Sequence, residues 1–155
     1  MAVAADVSRA HVKAEISELG PWAKLHGWKV SWDAPPLRLT VSMRSKVDSE
    51  RYVLELMCDN YRALPPYIEF RYPTSEERGT HRCYPGGGRG YFHNQPVICA
   101  PWNRKAYASH GGPHSDWAMA SWATYRPNHA QIGDMLVLLQ ELLDDPSSYT
   151  GRMAG

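Results

Sequence analysis

Four short segments in the front half of the chain alternate apolar and polar residues with period two. They follow one another so closely that few folds can hold them. In Trp28 to Asp33 the alternation is Trp28, Val30, Trp32 against Lys29, Ser31, Asp33. In Leu37 to Arg44 it is Leu37, Leu39, Val41, Met43 against Arg38, Thr40, Ser42, Arg44. Tyr52, Leu54, Leu56 and Cys58 share one face of the third segment, and Ile68, Phe70 and Tyr72 share one face of the fourth, Tyr67 to Tyr72. Side chains on a strand point alternately to its two faces, so each segment reads as a strand with one buried face. The connections are short and rich in turn formers: Ala34-Pro35-Pro36, Lys46 to Glu50, Asp59-Asn60 and Leu64-Pro65-Pro66. Such links cannot carry a parallel crossover, and the expectation is a four-stranded antiparallel meander.

Helical spacing flanks this block. Val12, Ile16 and Leu19 fall on one face of Ser8 to Leu19, and Gly20-Pro21 then reads as a stop. Near the other end, Ile132, Met135, Leu136, Leu139, Leu142 and Leu143 form a wide apolar stripe that Asp144-Asp145-Pro146 closes. Asn128 is placed to cap that helix, with Gln131 three residues on. Between them, Pro73 to Pro127 shows no sustained period and holds much of the chain's twelve Pro and twelve Gly. A loop region of that length in a compact domain usually carries function. Its aromatic residues, from Tyr91 to Trp122, argue against a solvated linker.

The 155 residues fit one domain, 1–155, large enough to bury a core without staples. The formal net charge of +1, with Lys and Arg scattered, gives no electrostatic reason to expect a nucleic acid or a membrane surface as partner. The first residues carry no basic segment followed by an apolar run, so neither a signal peptide nor a spanning helix is expected. Three cysteines, Cys58, Cys83 and Cys99, then read as reduced thiols of a cytoplasmic protein.

The order helix, meander, Pro-Pro, long loop with one cysteine, helix resembles the ubiquitin-conjugating enzyme fold. Residues carry the resemblance. Tyr52 to Phe70 looks like that family's third strand, its Tyr-Pro-x-x-Pro-Pro turn and its fourth strand, with Tyr61, Pro65 and Pro66 in the turn and Arg62 in place of its first Pro. Val97-Ile98-Cys99 looks like the family's Ile-Cys at the acyl-accepting cysteine. Trp122, followed by Ile132 to Pro146, is similar to the Trp, helix and Leu-Leu-x-Asp-Pro that follow it. The match spans Ser8 to Ser148 and departs at several points. The family's His-Pro-Asn is represented by His93-Asn94, and its Leu-Asp after the cysteine by Ala100-Pro101. Arg104 to Ser121 looks like an insertion, and Thr150 stands where an acidic residue is usual. The resemblance implies an α+β fold and a divergent, bacterial-type member, of a kind found in anti-phage defence operons. It implies three partners: a ubiquitin-activating-like enzyme, a ubiquitin-like protein and a target protein.

The residues by themselves leave two roles open for Cys99, a nucleophile in a loop or a small buried hydrophobe. The resemblance implies the first, with the modifier held as a thioester and passed to an amine or a hydroxyl. It also implies that Asn94, supported by His93, stabilises the oxyanion of that transfer, although Asn94 before Pro96 also reads as a simple turn. His110 and His114 could supply a base from a flap, since His lies nearest neutral pKa. Two alternatives stand beside this reading. A catalytically inactive member would only bind a ubiquitin-like partner. Zinc could be held by His81, Cys83, His93, Cys99, His110 and His114, though only His81-x-Cys83 and His110-x3-His114 are close pairs. Gly86-Gly87-Gly88-Arg89-Gly90 lacks the Lys-Ser or Lys-Thr of a phosphate loop and reads as a flexible turn. No cofactor is expected.

Overall fold

The four alternating segments pair in the order they occur. The computed structural model describes residues 2–108 and 117–155. In it β1 (Lys29–Asp33), β2 (Arg38–Arg44), β3 (Arg51–Met57) and β4 (Tyr67–Arg71) form one antiparallel sheet of order β1-β2-β3-β4. The register stacks like with like on the inner face. Val41 lies between Val30 and Leu54, and Leu56 lies between Leu39 and Ile68. Leu39, Val41, Leu54, Leu56, Ile68 and Phe70 are fully buried there.

One reading changes at β3. Its pattern predicts one buried face, but Val53 and Glu55, on the other face, are each 4% exposed. The cause is the segment after β4, which folds back over the sheet's edge. Gly79 donates its N–H to Phe70 O, Tyr72 donates to Glu77 O, and Arg71 bridges Arg78. The Arg78 and Arg71 guanidinium groups then meet the Glu55 carboxylate. An edge strand with open N–H groups invites foreign pairing, and this cover removes the opportunity.

The inner face is closed by helices. α1 (Ala5–Ile16) starts and ends three residues before its predicted bounds. Gly20-Pro21 does not end it, since α1 closes at Ser17; the pair instead opens α2 (Gly20–His26), which sequence periodicity did not reveal because seven residues show no clear stripe. Gly27, at φ 72°, closes α2 in the left-handed conformation that glycine adopts without cost. α3 (Trp122–Tyr125) is a single turn, and α4 (Ile132–Asp144) buries the whole predicted stripe.

Two predicted details are corrected. Asn128 does not cap α4; it lies in a short 3-10 turn, Pro127–His129, and the N-cap residue Gln131 makes no side-chain cap either. The first free N–H of α4, that of Ile132, donates to Glu15 Oε1 of α1 at 2.7 Å. The same carboxylate accepts from Tyr61 Oη at 2.8 Å and pairs with Arg62 at 3.4 Å. Second, the glycine run is not a flexible turn. Pro85–Gly87 forms β5, paired antiparallel with β6 (Tyr149–Arg152). A side chain at Gly87 would collide with the Ser148 carbonyl, and one at Gly88 with the Phe92 ring. Among the described residues, no helix is long and apolar enough to cross a membrane.

Candidate active site

The stretch from Tyr91 to Asn103 contains Cys99, and local chemistry explains how it is held. Phe92, Val97, Ile98, Ala100 and Trp102 are each 5% exposed or less, so apolar anchors flank the cysteine on both sides. Cys99 N–H donates to Tyr91 O at 2.6 Å, closing the loop on itself. The decisive clamp is Asn103, which is wholly buried. Its Oδ1 accepts from Ile68 N–H of β4 at 2.9 Å and from Lys105 N–H at 3.2 Å, while its Nδ2 donates to Ile98 O at 2.9 Å. One side chain thus ties the residue before the cysteine to the edge of the sheet. Arg104 N–H extends the seam to Pro66 O.

Cys99 opens into a cleft of about 260 Å³. Tyr91, Trp102 and Trp117 supply aromatic walls, and His93, Arg89 and Arg126 supply polar ones. Tyr91 and Trp102 rings lie 6.4 Å apart, and Trp117 leans on Tyr107 at 5.9 Å. The three cysteines are thiols with no disulfide among them. Cys58 and Cys83 are fully buried, whereas Cys99 is half-buried. Cys58 lies on the inner sheet face as its alternation predicts, and burial pushes its thiol up to about 12, with Glu15 adding to the effect. Cys83 is held by Thr80 Oγ1 at 3.3 Å and Glu77 O at 3.4 Å.

Burial also pushes the Cys99 thiol up from its ordinary value. A thiol is a weak nucleophile until it loses its proton, so the resting site holds mainly the thiol at neutral pH. Of the described arginines lining the cleft, Arg89 binds Asp145 at 2.9 Å and Ser147 Oγ at 2.8 Å, and Arg126 binds Tyr125 O at 2.9 Å.

Of the predicted site residues, the structure brings Cys99 and His93 to one cleft. Asn94 is exposed and is not among the residues that line it. Both His93 (φ 49°) and Asn94 (φ 53°) are left-handed, which turns the chain sharply at this point. His110 and His114 lie outside the described residues. Among the described residues, no three His, Cys, Asp or Glu side chains group as metal ligands, and His81 and Cys83 do not join His93 and Cys99. Thr150 sits exposed on β6.

Trp122 packs on the Tyr61–Arg62 turn. Its Nε1 donates to Arg62 O at 3.1 Å, and the Arg62 guanidinium lies 5.4 Å over its ring. Arg62 also donates to Ala130 O at 2.8 Å, so turn, tryptophan and α4 entrance form one unit. Sequence reasoning missed Asn103, Arg89 and Arg126. Asn103 had a weak signal, as a polar residue closing a run of buried apolar ones; the two arginines had none.

No protein-family model, curated protein or solved structure matches the chain.

Proposed function

We propose that the protein is a ubiquitin-like-protein transferase that carries its modifier as a thioester on Cys99. The observation that carries this reading is the contrast among the cysteines: Cys58 and Cys83 are sealed in the core, and Cys99 is half-buried on an aromatic and cationic cleft. The collinear resemblance to ubiquitin-conjugating enzymes supports it, as does the α+β order of helix, antiparallel meander, cysteine loop and helix.

Loading forms an S–C bond between Cys99 Sγ and the modifier's C-terminal carbonyl carbon. It breaks the corresponding S–C bond to the activating enzyme's cysteine, which leaves with the electron pair as a thiolate. His93, on the same cleft, takes the Cys99 proton as it attacks. Discharge reverses the roles. A target amine adds to the carbonyl carbon, the N–C bond forms, the S–C bond breaks, Cys99 departs as thiolate, and the proton that the amine gives up restores the Cys99 thiol. The half-buried setting excludes part of the water that would otherwise hydrolyse the thioester.

A second reading has its own support. Asn94 turned out to solvent and Thr150 in place of an acid favour a module that binds a ubiquitin-like partner without accepting it. One experiment separates the two. The tagged protein is produced in its native host, lysed in acid to preserve thioesters and resolved without reductant. The transferase reading expects a larger species that thiol reagents collapse, present in Cys58→Ala and Cys83→Ala and missing in Cys99→Ala. In Cys99→Ser it becomes resistant to thiol and labile to base, as an oxyester. An adduct that persists in Cys99→Ala refutes the assignment, and binding with no adduct in any variant favours the module.

A further inference from the structure

We infer that a second cleft, at the far end of the sheet, is a binding site for a diphosphate group. It has a volume of about 440 Å³ and is lined by Arg44, Arg51, Arg152, Glu50, Tyr72 and Thr74. That lies within the usual range of ligand sites, roughly 300–1,000 Å³.

The key observation is a pairing that packing alone disfavours. Arg44 of β2 and Arg51 of β3 are register partners, directly opposite across the antiparallel ladder. Like charges so placed repel, and the alpha carbons of such partners stand only about 5 Å apart. Elsewhere this sheet neutralises the same situation. Glu55 and Glu69 are also opposite partners, but Arg71 and Arg78 meet the first and Lys105 meets the second at 3.1 Å. Arg44 and Arg51 have no carboxylate partner among the described residues. Arg44 donates to Ser49 O at 2.8 Å, and Arg51 donates to Pro73 O at 3.1 Å. Arg152, from β6, is neutralised by Glu50 at 3.0 Å and is fixed by donating to Arg51 O at 2.6 Å and Arg82 O at 3.0 Å.

The guanidinium groups are therefore held by backbone carbonyls while two full charges remain uncompensated. Binding then requires little further ordering of flexible side chains. A guanidinium presents paired N–H donors that match phosphate oxygens two at a time. Two such cations lining one cleft match two adjoining phosphoryl groups better than one carboxylate. Tyr72 does not offer a free stacking surface, because Arg82 lies 4.1 Å and Arg152 5.3 Å from its ring centre. The diphosphate is thus the group that the site recognises. It stands independently of any thioester chemistry at Cys99.

The test is titration calorimetry of the whole chain with inorganic pyrophosphate, repeated with ADP and with a Glu-rich heptapeptide. Pyrophosphate is expected to bind, and more weakly at high salt. Equal affinity for ADP points to the free anion as the source, and tighter ADP binding points to a nucleotide. Arg44→Gln and Arg51→Gln should each weaken pyrophosphate at least tenfold, while Arg38→Gln, on the same strand but paired with Asp33, leaves it unchanged. Thermal unfolding without ligand checks that the variants are folded. Absence of pyrophosphate binding to the wild type, binding that survives the double variant, or binding of the peptide in its place would each overturn the proposal.

Discussion

Replacing Asn103 by Ala should loosen the cysteine loop and destabilise the fold together. The side chain makes three hydrogen bonds in a fully buried place. Truncation strands the Ile68 N–H and the Ile98 carbonyl away from water, and each stranded group costs about 1–3 kcal/mol. The bond to Lys105 N–H, longer at 3.2 Å, contributes less. Taking about 1.5 kcal/mol for each of the two strong bonds gives a loss of about 3 kcal/mol. For a chain of this size that lowers Tm by roughly 6–12 °C. Urea unfolding should show the same loss with an unchanged slope. The site should report it as well. Ile98 precedes Cys99, so its release exposes the sulfur, removes the burial that raises its pKa, and speeds alkylation by iodoacetamide in the folded state. Asn103→Asp tests the same clamp through pH. It keeps both acceptor bonds but sets a carboxylate oxygen against the Ile98 carbonyl. Burial and that carbonyl favour the protonated acid, so the folded pKa rises above the ordinary value of about 3.9. The variant is then weakest at neutral pH and recovers as pH falls, when the protonated acid can donate to Ile98 O. A stability loss below about 1 kcal/mol in Asn103→Ala, with Cys99 reactivity unchanged, would refute the assigned clamp.

Two other outcomes follow from the structure. Because burial raises the Cys99 thiol, little of it is ionised at pH 7, and its alkylation rate in the wild type should keep climbing as pH passes 9, against an ordinary thiol near 8.5; a plateau below pH 8 would contradict the burial. Glu15→Ala leaves Ile132 N–H and Tyr61 Oη without their acceptor and Arg62 without its carboxylate partner, so it should cost about 3 kcal/mol in urea unfolding, and Glu15→Gln, which keeps an acceptor but not the charge, about half of that; no loss in Glu15→Gln would show that charge plays no part, and equal losses in the two variants that the acceptor bonds play none.

The legible part of this chain is the part governed by local period. Alternation placed all four strands to within a residue, because a half-buried strand must present apolar side chains at every second position. The α4 stripe was readable for the same reason at helical spacing. Cys99 was readable as a candidate only from its place in an aperiodic loop together with the resemblance, and Cys58 as core because of its phase on a strand.

What the tertiary structure decided lies between elements distant in sequence. The acceptor at the start of α4 is Glu15, 117 residues earlier, and a local capping rule pointed to Asn128 instead. β5 and β6 each carry too little pattern to announce a strand, and exist because Gly87 lets the backbone approach Ser148. Glu55 reads as solvent-facing until Arg78 folds back over it. The Arg44–Arg51 pair is two ordinary surface residues until register sets them face to face. Periodicity records which side of an element avoids water, and so determines the elements; which polar groups meet depends on how the elements dock, and a linear pattern carries no record of that.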